Sequence, residues 1–273
     1  MPELPEVETV ARSLRPHLTG AVIRQVEVLD CMVIHAPAPT EFSRSLEGRR
    51  ITGISRRGKH LLLALDDGRH LIVHLGMTGQ LLLFDPAAEP PRFARVKLAL
   101  EDGRILWYAD MRKFGRLTLT DDVAGALESL GYEPFAPELD AGLLQSRLVG
   151  RRCPIKSLLL DQRVLAGLGN IYADEALFEA GIHPCTPAGA LSLEEADRLL
   201  GSVRTVLARG IANRGTTISD YVDGQGQAGS NQAQLRVYGR GGQACHRCGC
   251  TIERIRLSGR STCFCPACQP QRP

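Results

Sequence analysis

Two groups of residues in this chain have types and spacings suited to chemistry. The first is the amino terminus, MPELPEVE, where two prolines and three acids crowd the first eight residues ahead of a helix. Pro2 is small enough at the second position for Met1 to be removed, which leaves a secondary amine at the terminus. An α-amine has a pKa of about 8 against about 10.4 for lysine, so a useful fraction is unprotonated at neutral pH, and the adjoining helix dipole disfavours its cation further. Attack by such an amine on a sugar C1′ gives an iminium that has no proton to lose to a neutral imine, so it stays an electron sink for elimination. Glu3 stands where it can protonate or relay protons. Glu6 lies one helical turn on and serves the same pocket, or both acids are ordinary helix-start carboxylates.

The second group is metal-ligating. Of nine cysteines, six crowd into the last thirty residues, and Cys31, Cys153 and Cys185 are scattered. Cys245-x-x-Cys248 and Cys265-x-x-Cys268 are separated by sixteen residues, the arrangement of a four-thiolate ribbon holding one structural Zn2+. Cys250 and Cys263 form no second pair at that spacing and are bystanders. A closed four-cysteine site leaves no open position for water or substrate, so the metal holds a fold. Between the pairs, RIRLSGRSTC predicts a hairpin with Arg260 near its tip, able to clamp a phosphate bidentately or simply exposed to solvent. Arg236, Arg240, Arg247, Arg254, Arg256, Arg260 and Arg272 face one acid, Glu253, over the same region. That is the footprint of a phosphate-binding surface, with a solvated face as the plain alternative.

The elements that must carry these groups follow from periodicity. Val7, Val10, Ala11 and Leu14 share one face of a first helix, with Pro5 in its first turn and Pro16 closing it. From Val22 to about Leu119, short apolar runs alternate with turn signals, among them Asp67-Gly68 and Asp102-Gly103, which predicts an antiparallel β-sandwich. A Gly-, Pro- and acid-rich linker (121–140) leads into helical texture. There Ser192 and Glu195 form a capping box, Ala196, Leu199, Leu200, Val203 and Leu207 make the apolar face, and Gly210 ends the helix. The stretch 219–234 is polar and rich in Gly and Gln, and reads as a long exposed loop. The fold class is α+β: a β-sandwich domain (1–120), a helical domain (141–235) and a zinc finger (236–273).

A net charge of +3 is weak evidence for a nucleic-acid partner. No stretch approaches the roughly 20 apolar residues of a spanning helix, and the acidic amino terminus is unlike a signal peptide, so a cytoplasmic protein is expected.

MPELPEVETV, RRGKHLLL, HLGMTGQL, YADMRKFG, VLAGLGNIYADEALFEAGIHP and the terminal ribbon, in that order over nearly the whole chain, together resemble bacterial formamidopyrimidine-DNA glycosylase. The resemblance implies a helix-two-turn-helix domain after the β-sandwich, damaged double-stranded DNA as partner, and a monomer that excises oxidised purines and then nicks the strand by β,δ-elimination. It implies Pro2 as Schiff-base nucleophile, Glu3 as the acid in base excision, Lys59 as lesion contact and proton donor in β-elimination, and Arg260 as the finger arginine of phosphate binding and δ-elimination. A base inside a duplex must be everted and its gap filled. Met77, Arg112 and Phe114 match the family's filling residues: a flexible thioether, a forked cation able to pair with the orphaned base, and an aromatic wedge. Core packing would account for Met77 and Phe114 but not for Arg112. His74, Arg151 and Asn170 match phosphate contacts, Asn170 with help from its helix N-terminus; His74 also reads as a satisfied strand histidine. The loop 219–234 resembles the family's lesion-capping loop.

The chain departs from many relatives where Phe93-Ala94-Arg95 replaces a His-x-His, which puts a DNA contact near Phe93 in doubt and offers Arg95 in its place. Two other readings are set against the first. One is the related endonuclease VIII type, which favours oxidised pyrimidines but usually lacks Leu4-Pro5-Glu6. The other is a non-catalytic zinc-ribbon DNA-binding protein.

Overall fold

The computed structural model describes residues 1–271; Arg272, counted in the basic tail, lies outside the described residues. The chain forms two compact units, one of Met1–Glu128 with Asn213–Gln232, the other of Ser129–Ala212 with the residues from Ala233 onward.

In the first unit the helix α1 (Leu4–Leu18) precedes β1 (Ile23–Val28), β2 (Ile34–Ala36), α2 (Pro39–Leu46), β3 (Ile51–Arg57), β4 (His60–Leu65), β5 (His70–His74), β6 (Gly79–Phe84), β7 (Ala94–Leu100), β8 (Ile105–Asp110), β9 (Arg116–Thr120) and a short α3 (Val123–Ala126). The strands make two sheets, ordered β1-β7-β8-β6 and β2-β9-β5-β4-β3. Every second residue of a strand points to one face. Leu61, Leu63, Leu65, Leu71, Val73, Leu117 and Leu119 therefore enter one core with Val96, Leu98, Leu100, Leu106 and Tyr108 and with Val7, Val10, Ala11 and Leu14 of α1. The predicted turns close two hairpins. Gly68 and Gly103 take the left-handed conformation, and in each turn the aspartate before the glycine accepts both the backbone N–H and the guanidinium of the arginine after it.

Three expectations change in this unit. The sheets are antiparallel except at the short β2, which adds to the edge of its sheet parallel to β9. Pro16 does not close α1, which runs on to Leu18. A proline in the last turn removes one backbone hydrogen bond, and the full burial of Leu14 and Leu18 in the core offsets that loss. Nor is 219–234 a simple exposed loop, because the segment 213–232 packs within the sandwich unit. Its few anchors are polar. The buried Asp223 carboxylate accepts the N–H groups of Gln225 and Gln227 and pairs with Arg214. The Ser13 hydroxyl on α1 accepts the Gly224 N–H at 2.9 Å, and the Gly224 carbonyl accepts Leu83 N–H from β6.

The second unit contains α4 (Ala141–Leu148), α5 (Ile155–Leu159), α6 (Asn170–Ala180), α7 (Leu193–Ala212) and the hairpin strands β10 (Glu253–Leu257) and β11 (Arg260–Phe264). The capping box forms as expected: Ser192 N–H donates to the Glu195 carboxylate at 2.9 Å and Glu195 N–H to the Ser192 hydroxyl at 3.2 Å. Gly210 does not end α7, which continues to Ala212. A Cβ at Gly210 would lie 2.5 Å from the Tyr172 hydroxyl, so the glycine admits the close approach of α6. No described helix is long and apolar enough to cross a membrane.

Candidate active site and zinc ribbon

Pro2, Glu3, Glu6 and Lys59 are all buried in the sandwich unit. The start of α1 fixes the first three. Glu3 N–H donates to the Glu6 carboxylate at 2.9 Å, and the other Glu6 oxygen accepts Thr216 N–H at 2.7 Å. Glu6 therefore ties the helix start to the segment 213–232, and Tyr221 adds to the tie by donating to the Glu6 carbonyl at 3.3 Å. Burial holds the Met1 amino group, one residue before Pro2, below the ordinary α-amine pKa, against the charges of Glu3 and Glu6, which pull it up; Lys59 pushes it down as well.

Lys59 reaches this group from the β3–β4 hairpin. Arg57 pairs with His60 across a two-residue turn in which Gly58 has φ +56°, a hairpin turn with glycine at its first central position. Arg56, on the strand before the turn, donates to the Gly58 carbonyl at 3.0 Å and to Glu8 of α1 at 3.2 Å. One arginine thus fastens the lysine's turn to the helix that begins beside Pro2. The sequence RRGKH alone gives no sign of which arginine faces inward.

His74 ends β5 in a cross-strand row with His60 and Arg116. Burial, with the charges of His60, Lys59 and Arg116, pushes its pKa down to about 4. Its Nδ1 accepts Gly76 N–H at 3.3 Å, so the neutral ring presents its Nε2–H as a donor. Met77 (42% exposed) and Phe114 (52% exposed) stand outside the core, which removes core packing as their explanation. Arg112 is exposed between them in the chain and lies over the Phe114 ring at 4.6 Å. Arg95 does not stand free for DNA: it donates to the Asp110 carbonyl at 2.9 Å and pairs with Asp30 at 3.4 Å.

In the second unit β10 and β11 meet at Leu257 and Arg260 around a Ser258-Gly259 turn whose two φ angles, +48° and +77°, are those of a type I′ hairpin. Arg260 is exposed just past the tip. Asn170, first residue of α6, donates its amide to the Ser261 carbonyl at 3.0 Å, so two of the residues expected at phosphates are brought together from distant parts of the chain. Arg151 is exposed on the loop after α4, its carbonyl accepting Gly189 N–H, and its charge acts on Asp161. Beneath the hairpin, Lys156 and Asp174 form an ion pair at 2.6 Å with both side chains 1% exposed. Lys156 also donates to the Thr262 hydroxyl at 2.7 Å and the Ser261 carbonyl at 3.0 Å, and Asp174 accepts Cys263 N–H at 3.0 Å. Burial pushes the Asp174 carboxyl up to about 6 even beside the ammonium. One residue on, the buried Glu175 carboxylate accepts the N–H groups of Arg236, Val237 and Tyr238. None of these three was picked out from sequence, though a charge in each of the apolar runs IKSLLL and IYADEALF was the available signal.

The sulfur atoms of Cys245, Cys248, Cys265 and Cys268 all lie within 4.8 Å of one another. Two of the sulfur pairs are 4.0 Å and 3.4 Å apart, and tetrahedral thiolates about 2.3 Å from zinc stand about 3.8 Å apart. The four cysteines fit a single structural zinc. Cys250 and Cys263 are outside the cluster: Cys250 is exposed with its carbonyl on Cys245 N–H, and Cys263 packs with Phe178, Val237 and Ile252.

A β-sandwich opening on a buried Pro2, with a helical unit that carries a four-thiolate ribbon, defines a class of multidomain zinc-ribbon proteins. Family models match at residues 1–117 (formamidopyrimidine-DNA glycosylase N-terminal domain), 130–222 (its H2TH domain) and 242–271 (a zinc finger found in FPG and IleRS). A curated formamidopyrimidine-DNA glycosylase of Moorella thermoacetica is 54% identical, over 94% of this chain and 95% of that one. A Lactococcus lactis FPG mutant solved in complex with a Fapy-dG containing DNA superposes with a TM-score of 0.93 at 37% identity, over 99% of this chain and all (100%) of that one. The MutM (Fpg) protein of Thermus thermophilus superposes with a TM-score of 0.88 at 43% identity, over 100% of both chains. The chain belongs to the formamidopyrimidine-DNA glycosylase family.

Proposed function

We propose that the chain is a bifunctional DNA glycosylase and abasic-site lyase of base excision repair that removes oxidised purines from damaged double-stranded DNA. The observation that carries this reading is the buried start of α1, where Pro2, Glu3 and Glu6 lie and where the charge of Lys59 acts on the terminal amine beside Pro2. The named relatives and the Fapy-dG in the complex of the Lactococcus lactis neighbour support the purine class.

With Met1 removed, the Pro2 nitrogen attacks C1′ and the N-glycosidic bond breaks, Glu3 supplying the proton that the departing base or sugar requires. The resulting iminium withdraws electrons from C2′, so that loss of a C2′ proton expels the 3′ phosphate; Lys59 serves the proton transfers of this β-elimination. Arg260 holds phosphate and serves the δ step. His74, Arg151 and Asn170 hold the strand, and Met77, Arg112 and Phe114 fill the gap left by the everted base. The domains expected from sequence serve these tasks, with 219–234 as the lesion-capping loop. The same reading has the chain act as a monomer in the bacterial cytoplasm.

Duplexes carrying 8-oxoguanine or thymine glycol test the assignment. The purine lesion is expected to be released efficiently, and Lys59→Ala to slow its processing by about a hundredfold. Release of thymine glycol with none of 8-oxoguanine contradicts the reading and favours the pyrimidine-specific relative. Equal activity of Lys59→Ala and wild type on 8-oxoguanine removes the role given to the lysine. His74 contributes as a neutral donor, because its pKa of about 4 leaves it unprotonated at neutral pH. His74→Ala is therefore expected to weaken duplex binding roughly fivefold, by the same factor from about pH 6 to about pH 8. A cost that grows toward the acid end of that range contradicts the neutral contact.

A further inference from the structure

Met77 and Phe114 lie on different loops, one between β5 and β6 and the other between β8 and β9. Both loops end on one buried carboxylate. Asp110, the last residue of β8, is 1% exposed. One of its oxygens accepts the Thr78 hydroxyl at 2.6 Å and Arg112 N–H at 3.1 Å. The other accepts Gly115 N–H at 2.9 Å and the Tyr108 hydroxyl at 3.2 Å. Arg112 N–H also donates to the Thr78 hydroxyl oxygen at 3.0 Å, which closes the link between the loops.

The surrounding backbone is shaped around this carboxylate. Gly76, with φ +60°, has no room for a Cβ, which would lie 2.5 Å from the Gly115 nitrogen. A side chain on Gly115 would overlap the Tyr108 hydroxyl. Lys113 sits at φ +56°, a conformation unfavourable for a side chain of its size, and is held there by an ion pair with Asp30 at 2.8 Å. Asp30 in turn pairs with Arg95, which donates to the Asp110 carbonyl.

We propose that Asp110 is a positioning residue that locks the Met77 loop and the Arg112–Phe114 loop into a single arrangement, and so sets how strictly the protein reads the base opposite a lesion. The proposal rests on the reading of Met77, Arg112 and Phe114 as the residues that fill the everted base's place. Thr78 is the bridge, since its hydroxyl donates to the carboxylate and accepts from Arg112. With the carboxylate intact, four donors are satisfied and the three side chains project from one rigid base. With an amide in its place, one oxygen becomes an NH2 group facing a backbone N–H, of Arg112 or of Gly115, and the loops part.

The test is single-turnover excision of 8-oxoguanine opposite cytosine and opposite adenine, with nicking of a single strand carrying an aldehydic abasic site as the second readout. That strand has no opposite base and no duplex gap to fill. Asp110→Asn is expected to shift the cytosine-to-adenine rate ratio about tenfold toward unity while single-strand nicking stays at the wild-type rate. Thr78→Val, which keeps the carboxylate and removes the bridge, is expected to shift the ratio in the same direction by less, and decides the matter should Asp110→Asn not fold. Arg112→Ala and Phe114→Ala are run alongside. If they change the ratio and folded Asp110→Asn and Thr78→Val do not, the positioning role is overturned and the filling role stands. If Arg112→Ala and Phe114→Ala leave the ratio unchanged, the filling role itself fails and the proposal fails with it. Equal loss of both readouts in Asp110→Asn and Thr78→Val also overturns it, because the carboxylate then supports the fold and not the reading of the partner base.

Discussion

Protein that retains Met1 is expected to bind a duplex containing 8-oxoguanine and to form almost no borohydride-stable adduct with it, a loss on the order of a thousandfold or more. The reason is electronic. A Met1-Pro2 bond turns the proline nitrogen into an amide whose lone pair is delocalised into the carbonyl, while Pro2 and Glu3 keep their buried places at the start of α1. Pro2→Gly, with its Met1 likewise removed, separates ring from amine. It supplies a primary amine, whose Schiff base can shed a proton to a neutral imine and so is a poorer electron sink. The expected order of trapped adduct is wild type, then Pro2→Gly, then protein with Met1 in place, read as the covalent fraction at fixed time. Equal trapping in all three would move the nucleophile elsewhere in the chain.

Lys156→Met is expected to destabilise the second unit by roughly 3–5 kcal/mol. It leaves Asp174, 1% exposed, as a buried carboxylate without its ammonium. The loss reaches function because Lys156 also donates to the Ser261 carbonyl, the group that receives the Asn170 amide, one residue from Arg260. Duplex affinity should fall with stability. The double variant Lys156→Met, Asp174→Asn removes the stranded charge and keeps an oxygen for Cys263 N–H, so denaturant unfolding should show most of the stability restored. A single variant as stable as wild type would mean that the pair contributes nothing to holding the hairpin.

The parts legible in sequence were those that local chemistry fixes. Asp-Gly turns, the Ser192–Glu195 box and the paired cysteines each specify their own geometry within a few residues, and each formed as read. The misreadings share a different cause. Pro16 and Gly210 are helix-ending residues by local preference, but tertiary contacts, Leu18 in the core and Tyr172 against Gly210, carry the helices past them. The segment 213–232 looks too polar to pack because several of its anchors run through backbone N–H groups, those of Gln225 and Gln227 to Asp223 and that of Thr216 to Glu6, which composition does not reveal. Glu6 reads in sequence as one more acid beside Pro2, and its two oxygens instead bind the backbone N–H groups of Glu3, three residues back, and of Thr216, far along the chain. Arg56, Asp110 and Lys156 were missed for the same reason: they act on other residues, and one sequence does not display who accepts whose hydrogen bond.

The intact mass of the purified chain, taken with and without borohydride and an 8-oxoguanine duplex, decides whether Pro2 is the nucleophile when the adduct is also fragmented to locate the modified residue. The expected result is a chain lighter by one methionine that gains the mass of the reduced DNA fragment on the nitrogen of Pro2. An adduct of the same mass on a lysine, in chains whose Met1 has been removed, would contradict it.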